Sequence, residues 1–465
     1  MRRTALGLVV ENLVDEPSAG FAAWARTTAG VVCLLLALQI LTGVLLAFYY
    51  VPSAESAHTT VAYVEKVVGG GSWVRALHFH ASQLLPLALA LHLLQMLWRG
   101  SHRRKPFGWA ASVLLLGLLM ANAGTGYSLP WDARAFYSTR VAENVVAGLP
   151  LLGGGARAWL LGGAEVSTLT LSRFYALHAI VVPALLLAVV AARLLLFREP
   201  RREDAVSDGA WASEQLARNA VVVALVFAAI AFYAWESPAP LGPPHESAPP
   251  GYVPRPGAQF LWLFQLLKYL PKPAASALVL LGLPILLLAV ALLPFLPARA
   301  SEGRAARRGR RGLALVGSLL LLVAALTAVA HYEDSRDPRV TEQLARQSAR
   351  ETEFRSSPFV PKSSRGEAAG AARPDAAPAE SVEAPPAPEA YQRNCARCHG
   401  PRGEGKSVNP GLRGLSARPG RTAEDIVSII NDPASHGLEA RMPSFARKLT
   451  EDEKRAVAEW VVSLK

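Results

Sequence analysis

Seven apolar runs, each near twenty residues long, recur along the chain. They cover residues 29–50, 76–98, 108–128, 174–197, 219–236, 275–297 and 312–331. A helix needs about 20 residues to cross roughly 30 Å of hydrocarbon. The runs therefore predict an all-α fold built as a polytopic bundle of seven transmembrane helices. The amphipathic N-terminal stretch has no small-residue cleavage site after an apolar segment, so no cleaved signal peptide is expected.

The charged residues follow the topology that these runs predict. The net charge is +12, although only 18% of the residues are charged. Lys and Arg crowd the loops at 98–108, 197–204 and 297–312. Because cytoplasmic loops collect Lys and Arg, we expect these loops and the N-terminus to lie on the cytoplasmic side of a bacterial inner membrane. This distribution argues against nucleic-acid binding and places everything after residue 331 outside the cytoplasm.

The residues after the last apolar run change in composition. Residues 336–385 begin with a charged stretch that can be partly helical and continue as an Ala/Pro/Glu-rich stretch. Such a composition buries too little to fold, so we expect a flexible linker. Residues 386–465 predict a small all-α domain that ends in an amphipathic helix, with Thr450 and Glu453 as its capping box.

This small domain opens with the stretch NCARCHG. The spacing Cys395-x-x-Cys398-His399 is the attachment motif of c-type haem, in which both thiols bind the porphyrin and the histidine binds the iron. A redox CxxC and half of a zinc site are the alternatives. The adjoining histidine, the extracytoplasmic placement and the absence of a second cysteine pair oppose both. Met442, in a downstream loop, is the expected second iron ligand.

The membrane runs also carry histidines. His78 and His92 lie fourteen residues apart, on one helix face and about 21 Å apart along the axis. Ionisable residues within a span are costly and indicate function, and two on one face suggest two stacked haems. His178, in the fourth run, is the remaining candidate ligand. Small residues that would admit a flat macrocycle, or simply pack helices, recur at the same spacing as Ala29 and Gly43, and Ser112 and Gly126.

Several of these stretches together resemble the cytochrome b family of quinol–cytochrome c oxidoreductases. They are VRALH (74–78), ALH (90–92), GTGYSLPWD (124–132), STLTLSRFYALH (167–178) and FQLLKYLP (264–271). The resemblance covers about residues 10–335 and is to the seven-span form, which some organisms split into a four-helix and a three-helix subunit. It implies a four-helix haem domain at 1–200 and a three-helix domain at 201–335.

The resemblance also implies roles for individual residues. His78 and His178 would bind one low-spin b haem, and His92 would be a ligand of a second b haem. Arg75 and Arg173 would pair with haem propionates or the nearby surface.

The quinol pocket departs from the family's pattern. Tyr127 is expected beside the pocket. The family's Pro-Glu-Trp-Tyr motif corresponds here to residues 256–259, so Pro256 is retained while the proton-accepting Glu is replaced by Gly257. The nearby polar groups that could substitute are His245, Glu246, Tyr252, Arg255 and Gln259. We assign Tyr127, Pro256, Gln259 and Glu246 to the pocket.

The second haem site also departs from the family's pattern. In the family the fourth ligand follows the third by fifteen residues, and here that position is Arg193. A guanidinium is a poor iron ligand. Either the haem is five-coordinate on His92 with Arg193 paired to a propionate, or the site is empty and Arg193 extends to the headgroups. We predict the five-coordinate haem, since an unpaired histidine in hydrocarbon would be costly.

These features predict the b/c subunit of a bc-type quinol:cytochrome c oxidoreductase with a tethered c haem. The expected partners are a separate Rieske iron–sulfur protein, a membrane quinol, a downstream cytochrome c or oxidase, and a second copy in a homodimer. The alternative is an electron-conduit anchor with one b and one c haem that serves a partner dehydrogenase or reductase. A non-redox scaffold is opposed by the three membrane histidines and the complete haem c motif.

Overall fold

A computed structural model describes residues 7, 20–163, 165–195, 209–248, 252–296, 302–361, 386–403, 412, 422–436 and 442–464. The chain divides into two compact units, residues 1–367 and 368–465. Within the described residues both units consist of helices and connecting turns, as the all-α prediction requires.

Seven helices are long and apolar enough to cross a membrane, which confirms the predicted polytopic architecture. In chain order they are Gly20–Ala47, Gly71–Trp98, Pro106–Tyr127, Thr168–Leu195, Ser213–Glu236, Lys272–Phe295 and Gly312–Arg336, and they are called spans 1 to 7 below. Span 1 begins nine residues earlier than the apolar run, and span 7 ends five residues later, because helical hydrogen bonding continues beyond the apolar stretch at both ends.

The first four spans surround the core of the membrane unit. Span 1 packs along span 2, and span 3 packs between spans 2 and 4. Leu35, Leu77, Leu85, Leu119 and Leu186 are buried together between these spans. Span 5 packs on spans 1 and 2, span 6 on span 3, and span 7 on span 2 and the short helix Ala258–Lys268. The outward faces of the bundle are apolar and exposed, as lipid contact requires.

Span 4 contains one wide turn, at its histidine. Residues Leu177–Val181 form a π-helical turn inside the α-helix. Pro183 follows it and has no N–H to donate to the preceding turn, so the extra residue relieves the clash that a proline causes within a helix. Such π-bulges occur frequently at functional sites because they redirect a side chain. His178 lies in this turn.

One end of the bundle, here called the capped end, is covered by short helices. These are Ala57–Lys66, Ala133–Ala147 and Gly153–Leu161. Asp132 begins the second of them, because its carboxylate accepts a hydrogen bond from the backbone N–H of Ala135.

A longer helix, Pro338–Ser356, also lies on the capped end. Glu351 accepts a hydrogen bond from Arg134 at 2.8 Å, and Lys66 donates to the backbone oxygen of Ser357 at 2.9 Å. The first part of the linker 336–385, predicted to be flexible, is thus an ordered helix that ion pairs and hydrogen bonds fix to the bundle. Residues 362–385 lie outside the described part of the chain.

The second unit contains the helices Glu389–Asn394, Ala396–His399, Ala423–Asn431 and Glu451–Ser463. The rings of Tyr391 and Trp460 lie 4.3 Å apart and join the first helix to the last. Thr450 and Glu453 form the predicted capping box at the start of the last helix.

Candidate functional site

A cavity of about 780 Å³ opens among spans 1 to 4, towards the capped end. Its wall is mostly apolar, and its volume is typical of sites that hold a small molecule or cofactor. Five of the predicted haem residues line it: Gly43, Arg75, His78, Gly126 and His178. Tyr127 and Gln259 line the same cavity, so the structure brings the predicted haem and quinol residues together.

The imidazoles of His78 and His178 face each other across this cavity. Their ring centroids are 6.1 Å apart and their planes are nearly perpendicular, at 82°. A bond from a metal ion to an imidazole nitrogen is about 2 Å long. The separation of the rings therefore allows one iron to be bound by both histidines.

The hydrogen bonds of the two rings determine which nitrogen faces the cavity. Nδ1 of His178 lies 2.9 Å from the backbone oxygen of Asn122, which can only accept, so this nitrogen carries the proton. Nδ1 of His78 lies 2.9 Å from the hydroxyl of Thr42, which already donates to the backbone oxygen of Leu38. Both histidines are therefore protonated at Nδ1, and Nε2 of each keeps a lone pair for a metal ion.

Two glycines allow the rings to lie close to the facing helices. A Cβ atom on Gly126 would overlap the ring of His178, and a Cβ atom on Gly43 would lie 3.2 Å from Cε1 of His78. The small residues at these positions are thus required by the histidines, which goes beyond ordinary helix packing. The two Nε2 lone pairs, the cavity between them and the two glycines together fit a b haem that is held between spans 2 and 4.

The two arginines predicted to pair with propionates differ in position. Arg75 lines the cavity, but its Nε donates to Glu65 at 2.7 Å and its Nη1 to the backbone oxygen of Pro240 at 3.2 Å. Arg173 is exposed, does not line the cavity, and lies beside Gly162. Pairing with a propionate remains a prediction for both, with the geometry more favourable for Arg75.

The second predicted haem site, at His92, is arranged differently. Nδ1 of His92 lies 3.1 Å from the hydroxyl of Thr28, which donates to the backbone oxygen of Ala25, so His92 is also protonated at Nδ1. Its Nε2 lone pair faces Arg193, whose Nη2 lies 3.5 Å away. Nε of Arg193 donates to the hydroxyl of Ser112 at 3.1 Å, which holds the guanidinium in place.

These contacts do not fit the five-coordinate haem predicted on His92. An iron bound by Nε2 would lie about 2 Å from it, within the space that Nη2 of Arg193 takes up. The side chain of Arg193 points inwards to His92 and span 3, which differs from the alternative prediction that it extends towards the headgroups. Whether the site holds a haem stays a prediction. A guanidinium has only donors, and the His92 lone pair is one of the few acceptors within its reach in the span.

The predicted quinol residues separate into two groups. The hydroxyl of Tyr127 donates to the backbone oxygen of Arg255 at 2.9 Å, which places it beside the buried Pro256. Gln259 lines the cavity, whereas Glu246 is exposed and does not line it. Glu246 instead lies 3.3 Å from His245. Burial lowers the pKa of His245, so that this imidazole is neutral at pH 7. The role of Glu246 as the proton acceptor remains a prediction, and its position is less favourable than that of Gln259.

Sequence reasoning missed several polar residues in and around the cavity. Gln39 donates to the backbone oxygen of His78 at 2.7 Å, and Thr42 and Asn122 orient the two imidazoles. Gln83 lies in the wall beside Gln259. One signal could have identified Thr42: Thr28 and Thr42 repeat the fourteen-residue spacing of His78 and His92.

The haem c motif begins at Cys395, directly after the helix Glu389–Asn394, and continues through the short helix Ala396–His399. The N–H groups of Cys398 and His399 both donate to the backbone oxygen of Cys395, which closes the turn. Burial and the neighbouring Cys398 raise the pKa of the Cys395 thiol to about 11, so it is protonated at pH 7. Met442 packs on the same apolar cluster as Cys395, which is compatible with its predicted role as second ligand.

Comparisons with known proteins match both units. Residues 14–201 match the family model for cytochrome b/b6, and residues 386–465 match that for cytochrome c. A menaquinol:cytochrome c reductase cytochrome b subunit of Geobacillus thermodenitrificans is 33% identical over 185 residues, which are 39% of this chain and 83% of that protein. A cytochrome b6 of Heliomicrobium gestii is 34% identical over 170 residues, 36% of this chain and 80% of that protein.

A solved structure described as a hyperthermophilic respiratory Complex III is also similar, with a TM-score of 0.47 and 18% identity over 68% of this chain and 93% of that one. The sequence matches are to cytochrome b proteins, which agrees with the pair of histidines that face one cavity. The chain belongs to the cytochrome b/b6 family and carries a cytochrome c domain at its C-terminal end.

Proposed function

We propose that this chain is the membrane-bound b/c subunit of a quinol:cytochrome c oxidoreductase. The observation that carries the proposal is the pair of Nε2 lone pairs, on His78 and His178, that face a cavity shared with Tyr127 and Gln259. The menaquinol named for the Geobacillus relative supports a membrane quinol as the substrate. Haems bound at His78/His178 and at the Cys395–His399 motif would supply one-electron transfer.

The residues of this chain bind, orient and exclude water. The apolar wall of spans 1 to 4 keeps water from the cavity. Tyr127 ties span 3 to the segment before Pro256, and Arg255 forms an ion pair with Asp334 of span 7. These contacts fix Tyr127 and the segment before Pro256, here called the quinol side of the cavity. The part that carries the two histidines is called the haem side.

A separate Rieske protein is proposed as the partner that takes the other electron of a two-electron quinol. A Rieske cluster needs two cysteines and two histidines. The chain has three cysteines, and the haem c motif uses two of them. We further propose that the capped end faces the outside of a bacterial inner membrane, with the cytochrome c domain on that side, and that the complex is a homodimer that passes electrons to a downstream cytochrome c or oxidase.

The proposal is tested by purifying the chain with its native partners and measuring quinol-dependent reduction of cytochrome c. We expect turnover that requires a co-purifying subunit with the electron paramagnetic resonance signal of a Rieske cluster. A purified complex with all its haems but without any quinol oxidation would contradict the proposal.

A second candidate function is supported by the contact between Arg193 and His92. If only one b haem is bound, the chain could serve as an electron conduit between the quinol pool or a partner dehydrogenase and its c haem, without a second quinone reaction at the opposite end. This candidate predicts one b haem for each c haem and no Rieske subunit in the purified complex. Two b haems together with a Rieske subunit would exclude it.

A further inference from the structure

Two glutamine side chains meet at Gly257, the position that corresponds to the family's glutamate. A Cβ atom on Gly257 would lie 2.8 Å from Oε1 of Gln259 and 3.2 Å from Nε2 of Gln83. Gln83 belongs to span 2, five residues after His78, and Gln259 lies in the first turn of the helix Ala258–Lys268. The two amides therefore occupy the space that a side chain at residue 257 would enter.

Both amides have an acceptor to spare. Oε1 of Gln83 and Oε1 of Gln259 are buried, and neither has a hydrogen-bond partner. Both residues also line the cavity. Because buried polar atoms in native proteins are nearly always partnered, two unsatisfied acceptors beside one cavity indicate a ligand that brings hydrogen-bond donors.

Two other polar groups near the glutamines have their own partners. The carboxylate of Asp132 accepts from two backbone N–H groups, and the hydroxyl of Tyr127 donates to Arg255. Oδ1 of Asn122 is also unpartnered, but it belongs to the residue whose backbone oxygen orients His178, on the haem side of the cavity. On the quinol side the two glutamine amides are the acceptors that the geometry leaves open.

We propose that Gln83 and Gln259 bind the headgroup of the quinol, in place of the family's carboxylate; this inference rests on the proposed quinol-oxidising function. A quinol offers hydroxyl donors and the oxidised quinone offers carbonyl acceptors. An amide has both an acceptor oxygen and donor hydrogens, whereas an ionised carboxylate only accepts. The two glutamines can therefore bind both redox forms. Because an amide does not take up a proton near neutral pH, they bind the hydroxyl without acting as its base.

The test uses the complete chain in its complex, with a short-chain naphthoquinol as the probe. The variants are Gln83→Leu, Gln259→Leu and the double variant, and the control is Gln95→Leu. Gln95 is buried on the same span but does not line the cavity. Haem content and the b haem spectrum are measured in every variant. With haem content unchanged, each single variant should raise KM for the quinol about tenfold, the effect of losing one buried hydrogen bond, and the double variant more.

A conservative variant separates binding from a merely structural role. Gln259→Glu restores an acceptor and adds a titratable group, so KM should stay near that of the wild type above the pKa of the new carboxylate, and the pH profile should gain an acidic limb that the wild type lacks. An unchanged KM in the double leucine variant, with haem content retained, would overturn the proposal. So would a rise in KM of equal size for Gln95→Leu.

Failure of the proposed function gives a different result. If the wild type does not oxidise the naphthoquinol, the matching naphthoquinone is added to the oxidised complex and the shift of the b haem absorption band is recorded. A shift in the wild type that is lost in the double variant supports binding by the two amides even without turnover. The absence of a shift in the wild type, or its persistence in the double variant, overturns the inference.

Discussion

The two histidine sites of span 2 are built from similar parts, and their main difference is the residue that span 4 contributes. Each has an imidazole whose Nδ1 bonds to a threonine of span 1, Thr42 for His78 and Thr28 for His92. In each site a small residue of span 3 contacts the residue of span 4, Gly126 at His178 and Ser112 at Arg193. These two small residues are fourteen residues apart, like the histidines and the threonines. The fourth element is His178 at one site and Arg193 at the other.

The residue from span 4 changes the metal-binding groups that each site presents. His178 has a lone pair on Nε2, so the first site presents two metal ligands across a cavity. Arg193 has only donors, so it bonds to the lone pair of His92 and to Ser112 and takes up the intervening space. We therefore expect this repeated scaffold of threonine, histidine and small residues to bind a metal ion only where the facing residue supplies a lone pair.

Removal of one ligand of the first site should have the largest effect. His178→Leu leaves an imidazole on one side only, so we expect the b haem to be lost while the covalent c haem remains, as measured by the pyridine haemochrome ratio of b to c haem. The matched control is His80→Gln, because His80 is also a buried histidine, on span 2, but it bonds to the backbone oxygen of Ser237 and does not line the cavity. Retention of low-spin b haem in His178→Leu would contradict the assignment.

Conversion of the second site should have the opposite effect. Arg193→His removes the guanidinium and supplies the missing lone pair opposite His92. We expect the ratio of b to c haem to rise from one to two, with a second low-spin signal by electron paramagnetic resonance. Arg193→Leu clears the same space without adding a ligand and should give no second low-spin signal. A ratio of two in the wild type would show that the haem displaces the Arg193 side chain.

A methyl group on the facing helix should weaken the first site. The added Cβ of Gly126→Ala would overlap the ring of His178, so we expect b haem occupancy to fall to a small fraction of the c haem content. Gly124→Ala is the control, since its Cβ would meet only the tip of Phe260 at 3.8 Å. Gly43→Ala should have an intermediate effect, since its nearest contact is 3.2 Å. Equal haem content in all three variants would refute the close approach of the ring.

The smallest effect on haem binding should come from substitution of the two threonines that bond to the histidines of span 2. Thr42→Val removes the hydroxyl that accepts from Nδ1 of His78, and loss of such a partner typically weakens metal binding about 10–100-fold. Thr28→Val makes the same change at the second site and should leave the haem content unchanged. Haem retention during dialysis against apomyoglobin measures the difference. Faster haem loss in Thr28→Val would indicate that the second site does hold a haem.

Much of the architecture could be predicted because it depends on local patterns. The length of each apolar run is compared with a fixed bilayer thickness, so seven spans could be counted without knowing how they pack. The Cys395–His399 motif is contiguous, and the capping box of Thr450 and Glu453 lies within one helical turn. The spacing of His78 and His92 predicts a common face because helix periodicity is constant.

Other features depended on segments that are far apart in the chain. The sequence shows that Arg193 stands where a histidine is expected, but the direction of its side chain depends on Ser112 and His92, which lie on other spans. Likewise Gln83 and Gln259 are 176 residues apart and meet only because Ala258–Lys268 packs near span 2. The helix Pro338–Ser356 is amphipathic enough to predict, yet its attachment to Arg134 and Lys66 is not.

The sequence alone determined the class of protein, the number of spans and the haem c motif. It also showed the spacing of His78 and His92, and that Arg193 stands where a histidine is expected opposite His92. Only the tertiary structure placed the Arg193 side chain against His92, left Glu246 off the cavity wall, and brought the amides of Gln83 and Gln259 together at Gly257. The physical reason is that spans and motifs depend on the length and periodicity of a continuous stretch of sequence. The role of a histidine lone pair or of an unpartnered amide depends instead on the side chain that packing places opposite it.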